Sequence, residues 1–270
     1  MKLKFTVSPP SGRLALLFLI LFSTAAMQAQ TIKMGLGTVR TLPLDFYGYD
    51  MSTTVRGGVS CVDPDLLSHL PKLKPKTLRY PAGSHANWWN WRVGWYVDSP
   101  YLPEKQQKLK KVPNKLEDFK GLLTATGASA ILDLNLLTSD VRDQIAMLKH
   151  ADSIGIAIKY VELGNEFYLE GEEEEDTLLL LLKYPTPDSY ADTAQIWIDS
   201  IHKHFPDVKI GLQGVFDKNH QERRNLWNDA VILPVEREDA ITMHYYFGSH
   251  WPDPSETEAE KLNVNMGDLA

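Results

Sequence analysis

Two polar residues, Asn165 and Glu166, have the clearest potential for chemistry because they directly follow a short β-type run, Ile158–Leu163. If this run is a strand of a parallel sheet, both side chains lie at its carboxyl end, where barrels of such strands bind substrates. Aromatic neighbours can desolvate a carboxyl group there, which raises its pKa and lets it hold a proton for a leaving oxygen. The adjacent amide can donate to and accept from a hydroxyl group. Many strands end in Asn or Glu, so this pair alone is modest evidence for a general acid or base.

A second group of candidate residues surrounds the end of an earlier β-type run. Arg79 lies within that run, and Asn87, Trp88 and Trp89 follow it in an aromatic segment. Flat indole faces suit the apolar face of a sugar ring, and the indole N–H needs a polar partner. Core packing between sheet and helices is the alternative for both tryptophans. For Trp95, farther along the same segment, we expect packing.

A third polar group ends the last β-type run, where His244 and Tyr246 occur. Both could contact a substrate at the same edge of the sheet, although His244 could also be a core histidine with satisfied hydrogen bonds. No residues show the spacing of a zinc site, and no serine or cysteine nucleophile signature is present. We therefore expect neither a metal nor a cofactor.

The elements that must position these residues alternate between short β-type runs and amphipathic helices, which predicts βα units and a parallel sheet. Helix boundaries are marked by Asp63-Pro64, by Gly127 and by Thr186-Pro187, which are typical start and stop signals. No internal repeat or linker divides the chain. The predicted strands are Asp45–Ser52, Lys76–Pro81, Ala130–Asn135, Ile158–Leu163, Lys209–Val215 and Ala240–Tyr246.

Three motifs carry a resemblance to a known group of enzymes. Gly164-Asn165-Glu166 resembles the fourth-strand signature of the large retaining (β/α)8 glycosidase clan. The segments Leu78–Gly83 and Ala86–Trp91 resemble the second-strand region of the α-L-arabinofuranosidase and β-glucuronidase/heparanase branches, except that Ala82 replaces the first of two glycines. Met243–Tyr246 resembles the sixth-strand end of the same enzymes. The three matches occur in the order that the family requires.

This resemblance implies an α/β fold, a (β/α)8 TIM barrel that is incomplete, with about six of its eight βα units present. It also implies that Glu166 is the catalytic acid/base and that Asn165 contacts the 2-hydroxyl of a sugar. Arg79 would lie under the nucleophile and keep it ionised, since a nearby positive charge lowers a carboxylate pKa. The substrate-binding residues implied by the motifs are Asn165, Arg79, Asn87, Trp88, Trp89, His244 and Tyr246.

The second carboxylate of a retaining mechanism is not evident. In the resembled enzymes the nucleophile ends the seventh barrel strand, but only about two dozen residues follow Tyr246. Glu256, Glu258 and Glu260 lie in this polar stretch, which has no β-type run to place them in the barrel mouth. We name no nucleophile, and we expect the 270-residue chain to be catalytically silent and poorly stable by itself.

Composition and the amino-terminal sequence limit the binding partners and the cellular location that we expect for the protein. A net charge of −7 argues against nucleic-acid binding, and the single Cys61 excludes an intrachain disulfide. A basic leader, the short apolar run Leu14–Phe22 and a small-residue exit indicate a signal peptide over residues 1–30, with an uncleaved anchor as the alternative. We expect residues 31–270 to form the barrel portion, exported to the periplasm or the extracellular space and without membrane association after cleavage.

Three hypotheses follow for function. The first is a retaining glycosidase that acts on a plant-type or uronic-acid-containing oligo- or polysaccharide, in an arabinofuranosidase-like or β-glucuronidase-like manner. The second is a non-catalytic carbohydrate-binding remnant of such an enzyme. The third is an unrelated open α/β domain in which the Gly-Asn-Glu match is accidental. We favour the first hypothesis, because all three motifs fall at the ends of predicted strands and in the order found in the resembled enzymes.

Overall fold

Eight short strands are present in the computed structural model, which describes Pro43 and residues 45–169, 174–216 and 221–245. They are β1 (Gly48–Asp50), β2 (Thr77–Tyr80), β3 (Trp89–Asn90), β4 (Trp95–Tyr96), β5 (Ser129–Asp133), β6 (Tyr160–Glu162), β7 (Lys209–Gly214) and β8 (Ala240–Met243). Six of them form one parallel sheet in the order β1-β2-β5-β6-β7-β8, so each pairs with the next sheet strand along the chain. This sheet curls into part of a barrel, which confirms the predicted incomplete (β/α)8 fold.

Helices lie between the strands, as right-handed βα units require. They are α1 (Ser52–Gly57), α2 (Pro64–His69), α3 (Glu104–Gln107), α4 (Leu116–Thr126), α5 (Val141–Ser153), α6 (Glu174–Lys183), α7 (Pro187–His202) and α8 (Glu222–Val231). Two 3-10 helices, Leu70–Leu73 and Gly83–Trp88, follow α2 and β2. Within the part of the chain that the structure describes, no helix is long and apolar enough to cross a bilayer.

The predicted helix signals act as expected. The Asp63 side chain accepts hydrogen bonds from the backbone N–H groups of Asp65 and Leu66 at 2.9 and 3.2 Å, which caps α2. Gly127 ends α4 in the left-handed conformation, with φ of 69°. Thr186 caps α7 by accepting from the Ser189 N–H. These local devices explain why the helix boundaries could be predicted from sequence.

Apolar faces of the helices fill the space outside the sheet. Helix α4 is representative, since Leu116, Phe119, Leu122 and Leu123 are all buried at the spacing of one helix face. Burial of each such side chain stabilises the fold by about 1.5–3 kcal/mol. The core on this side of the sheet therefore holds the strand ends in place.

The six sheet strands match the six predicted runs, but each is shorter than predicted. The hairpin of β3 and β4 was not predicted, because two-residue strands are too short to show an alternating pattern. Tyr246 and the candidate residues Glu256, Glu258 and Glu260 lie outside the described residues, as does the predicted signal peptide.

The turn after β2 has a backbone conformation typical of glycine, although the sequence has alanine at that position. Ala82 occupies the position of the first glycine and has φ of 70° and ψ of 156°, a region that is almost exclusive to glycine. It is completely buried, so surrounding contacts hold it there. This conformation costs about 1–3 kcal/mol for a residue with a Cβ, and it persists only where the surrounding structure fixes it.

Candidate active site

Four of the predicted site residues meet at the carboxyl edge of the sheet: Arg79, Asn165, Glu166 and His244. Glu166 Oε1 lies 2.6 Å from His244 Nδ1, although the two residues are 78 positions apart in sequence. The Asn165 Nδ2 atom is 3.4 Å from Glu166 Oε2, and the Tyr168 hydroxyl is 3.3 Å from Oε1. The side chains of Glu166 and His244 are each 20% exposed, so both are accessible to a ligand while remaining largely enclosed. A carboxyl group held in this way can exchange a proton with a bound molecule.

Arg79 binds Asn165 on the side away from Glu166. Its Nη2 donates to Asn165 Oδ1 at 3.2 Å, so the asparagine amide connects the guanidinium to the Glu166 carboxylate. The guanidinium also contacts three carboxylates, Asp50 at 3.0 Å, Asp133 at 2.7 Å and Glu162 at 2.7 Å. The positive charge of Arg79 is therefore already paired with acidic side chains from three neighbouring strands. Its expected role beneath a nucleophile stays a prediction.

Sheet register explains how this cluster forms. Asp50 pairs with Arg79 across β1 and β2, and Asp133 pairs with Glu162 across β5 and β6. All four residues lie at or next to the carboxyl ends of parallel strands, so their side chains converge at one edge. We call Asp50, Arg79, Asp133 and Glu162 the arginine cluster.

Burial and neighbouring charges shift the pKa values of two residues of the arginine cluster, Asp133 and Arg79. It raises the pKa of Asp133 well above its usual range; the charge of Arg79 opposes this shift, and the charges of Glu162 and Asp50 reinforce it. The Arg79 pKa is lowered by burial but raised more strongly by Asp133, Glu162 and Asp50, so the guanidinium stays charged. The pKa values of Asp133 and Arg79 therefore both lie above their usual ranges.

The residues predicted in the aromatic segment have more enclosed positions. The Asn87 side chain donates to the backbone O of Asn165 at 3.0 Å and accepts from its N–H at 3.2 Å, so it holds the backbone beside Glu166. Trp88 and Trp89 are 1% and 3% exposed, and the Trp89 indole N–H donates to the Tyr80 hydroxyl at 3.0 Å. Almost no indole face is open to a ligand, which favours the packing alternative for both tryptophans.

Comparison with known proteins adds evidence on fold. No protein-family model matches the sequence, and no curated protein matches it significantly. Solved structures do match. The α-L-arabinofuranosidase from Thermotoga maritima, in complex with arabinose, has a TM-score of 0.51 and 20% identity over 68% of this chain and 39% of its own. The GH51 enzymes from Thermotoga petrophila RKU-1 and Xanthomonas axonopodis pv. citri give TM-scores of 0.50 and 0.52 at 20% and 14% identity.

The chain shares its fold with α-L-arabinofuranosidases. The GH51 matches cover 75% and 76% of this chain but 43% and 44% of those enzymes, so the chain spans about two fifths of their length. The likeness favours a barrel-type fold over an open α/β domain. At these identities it concerns fold and not activity.

Sequence reasoning did not select the acidic residues of the arginine cluster. Asp133 and Glu162 lie inside predicted strands that are mostly apolar, and a charged residue in a buried strand is a signal of pairing or function. Their partner could not be identified, since Arg79 and Glu162 are 83 positions apart. Within the described residues, no group of three or more His, Cys, Asp or Glu side chains is arranged to hold a metal ion.

A buried histidine near the site gives the fold a pH dependence. His85 precedes Asn87 in the second 3-10 helix, is 2% exposed, and contacts the Tyr96 hydroxyl through Nδ1. Burial, assisted by the charge of Arg56, lowers the His85 pKa from 6.5 to about 4. The unfolded chain therefore binds a proton between about pH 6.5 and 4 that the folded chain excludes, and stability falls as the pH falls through this window.

We expect His85 to remove about 2–3 kcal/mol of stability between pH 7 and pH 4.5, since each pKa unit corresponds to about 1.4 kcal/mol. The measurement is urea unfolding of the wild type and His85→Asn at both pH values. Other groups also titrate, so the difference between the two proteins isolates His85. The exposed His69 provides the control, and His69→Asn should follow the wild type. A wild type and a His85→Asn variant that lose equal stability would contradict the assignment.

Proposed function

We propose that this protein is a glycoside hydrolase of the arabinofuranosidase-like type, with Glu166 as its acid/base. The observation that carries the proposal is the position of the Glu166 carboxylate. It lies at the carboxyl edge of a parallel barrel-type sheet, 2.6 Å from His244 and next to Asn165. The shared fold with α-L-arabinofuranosidases supports this assignment. Because the chain spans about two fifths of those structures, its activity is part of the proposal.

The proposed chemistry needs a proton at one carboxyl group and two separate steps. In the first step Glu166 gives its proton to the glycosidic oxygen as the C–O bond breaks, while a second carboxylate forms an ester with the anomeric carbon. In the second step the Glu166 carboxylate takes a proton from water, and the water oxygen replaces the ester. We assign no residue to the second carboxylate.

The neighbours of Glu166 have distinct roles in this scheme. His244 can hold the carboxylate in place through the 2.6 Å contact between Nδ1 and Oε1. The Asn165 amide accepts a hydrogen bond from Arg79 and lies next to the Glu166 carboxylate. It therefore places a polar group beside the proposed acid. We propose that Asn165 and His244 bind hydroxyl groups of the sugar. Tyr246 remains a candidate for the same role.

For the substrate we propose an oligo- or polysaccharide that contains arabinofuranosyl units, with a uronic-acid-containing glycan as the second candidate. The matched structures are named α-L-arabinofuranosidases. The motif around β2 resembles both the arabinofuranosidase and the β-glucuronidase/heparanase branches. We also propose that the chain is exported, on the pattern of its first 30 residues.

The test is an assay of the full chain with 4-nitrophenyl α-L-arabinofuranoside and 4-nitrophenyl β-glucuronide, together with calorimetric titration of an arabino-oligosaccharide. Release of nitrophenol from the arabinofuranoside that is lost in Glu166→Ala would support the proposed enzyme, and it would overturn the sequence-based prediction that the 270-residue chain is silent. Binding of the oligosaccharide without release from either substrate would favour a non-catalytic carbohydrate-binding protein. The absence of both oligosaccharide binding and nitrophenol release would refute both functions.

A further inference from the structure

The short segment that carries Glu166 has an unusual backbone. We call residues 163–167 the acid loop. Gly164 and Glu166 both have left-handed conformations, with φ of 80° and 53°. A Cβ on Gly164 would lie 2.8 Å from the Phe167 ring and 3.1 Å from Gln213 Nε2, so this position requires glycine. Glu166 has a Cβ and adopts its conformation at a cost, which surrounding contacts must offset.

The remaining residues of the acid loop are held by side chains from distant elements. Gln213 on β7 is 2% exposed, and its amide reaches both ends of the loop. Its Oε1 accepts from the Phe167 N–H at 2.7 Å, and its Nε2 donates to the Leu163 carbonyl at 2.8 Å. The Tyr190 hydroxyl donates to the same carbonyl at 2.7 Å. One side chain thus connects the residue at which the loop begins with the residue at which it ends.

Two further contacts complete the support. Arg223 on α8 donates from Nε to the Phe167 carbonyl at 2.8 Å. Asn87 bonds both backbone groups of Asn165 from the opposite side. Of these supports, Gln213 alone forms hydrogen bonds with both ends of the loop, and among the described residues its amide forms none with Asn165 or the Glu166 side chain. Its effect on Glu166 must therefore pass through the backbone.

We propose that Gln213 is a positioning residue that fixes the acid loop and so holds the Glu166 carboxylate against His244. The catalytic meaning of this role rests on the proposed function. The positioning itself does not, because it is a statement about the loop. Displacement of a catalytic group by about 1 Å can lower a reaction rate by about 100-fold. Hydrogen bonds from Gln213 to both ends of the acid loop can therefore have a large effect on catalysis by Glu166.

The first test uses amide hydrogen exchange in the full chain and needs no activity. Gln213→Met has a similar shape but removes both hydrogen bonds. We expect the Phe167 amide to exchange about 10- to 100-fold faster, while amides of β5 and β6 keep their protection. Gln213→Glu keeps an acceptor for the Phe167 N–H and should restore most of that protection. The control is Gln195→Met, which removes an equivalent bond, the 2.8 Å contact from the Glu236 N–H, outside the loop.

A second readout follows the carboxylate itself. The imidazole 15N resonances of His244 report the contact with Glu166, and we expect them to shift in Gln213→Met but not in Gln195→Met. Unchanged Phe167 exchange, or an equal acceleration of every amide, would overturn the proposal, as would His244 resonances that do not move.

Activity separates this proposal from the proposed function. If the wild type hydrolyses aryl glycosides, Gln213→Met should lose most rate on substrates with poor leaving groups, since these depend on the acid. Equal loss for all leaving groups would contradict a role through Glu166. If the wild type shows no hydrolysis, the proposed function fails, and the exchange and 15N results still decide whether Gln213 positions the loop.

Discussion

In a completed enzyme that hydrolyses glycosides, we expect Glu166→Gln to lower the rate by about 10²–10⁴-fold for substrates whose leaving group needs a proton. The glutamine keeps the size and the hydrogen-bonding capacity of the side chain but cannot supply that proton. The contact of Glu166 with His244 at 2.6 Å and the neighbouring Asn165 amide mark the position that we propose for the proton transfer. Binding of the sugar should change little, so the loss should appear in kcat and not in KM.

The sharpest measurement compares leaving groups. Aryl arabinofuranosides with acidic phenols need little protonation, so Glu166→Gln should spare their bond cleavage and lose most rate on alkyl glycosides. The exposed pair of Glu117 and His150, joined at 2.8 Å, provides a matched control, because Glu117→Gln removes an equivalent Glu–His contact away from the site. A Glu166→Gln variant with equal losses for every leaving group would show that Glu166 is not the acid.

Much of this site could be predicted because its residues lie at strand ends. Arg79, Asn165 and His244 each end or follow a β-type run, and parallel strands bring such positions to one edge. The runs were recognisable from their β-branched and aromatic residues, and the helices from caps such as Asp63 and Gly127. Local chemistry was sufficient for these features.

The supports of the site could not be predicted, because they depend on contacts between distant residues. Gln213 is an ordinary polar residue in the sequence of β7, and only the folded chain places its amide across the acid loop. The burial of Trp88 and Trp89 is a second case, since the sequence left packing and ligand contact open. The partners of Arg79 are a third case, and we expect their loss of the guanidinium to have a large effect on stability.

Replacing Arg79 with methionine should destabilise the protein by about 3–5 kcal/mol at pH 7, because it leaves the largely buried Glu162 carboxylate without its counterion. The Asp133 side chain is inaccessible to solvent and that of Glu162 is 11% exposed, so water cannot replace the guanidinium. The exposed pair of Arg92 and Asp143 is the control. Arg92→Met should cost at most about 1 kcal/mol, as surface ion pairs usually do.

The pH dependence of this loss identifies its cause. Arg79 is the charge that lowers the Asp133 pKa, so its removal raises that pKa further above the value in the unfolded chain. A carboxyl group with a raised pKa binds its proton more tightly in the folded state, and its contribution to stability is lost as the pH rises. The gap between wild type and Arg79→Met in urea unfolding should therefore widen as the pH rises through the range in which the wild-type Asp133 loses its proton, which lies well above the usual range of an aspartate. Adding Asp133→Asn should remove this widening, because the amide has no proton to lose. A gap that is independent of pH and unaffected by Asp133→Asn would mean that Arg79 stabilises the fold through packing of its aliphatic chain instead.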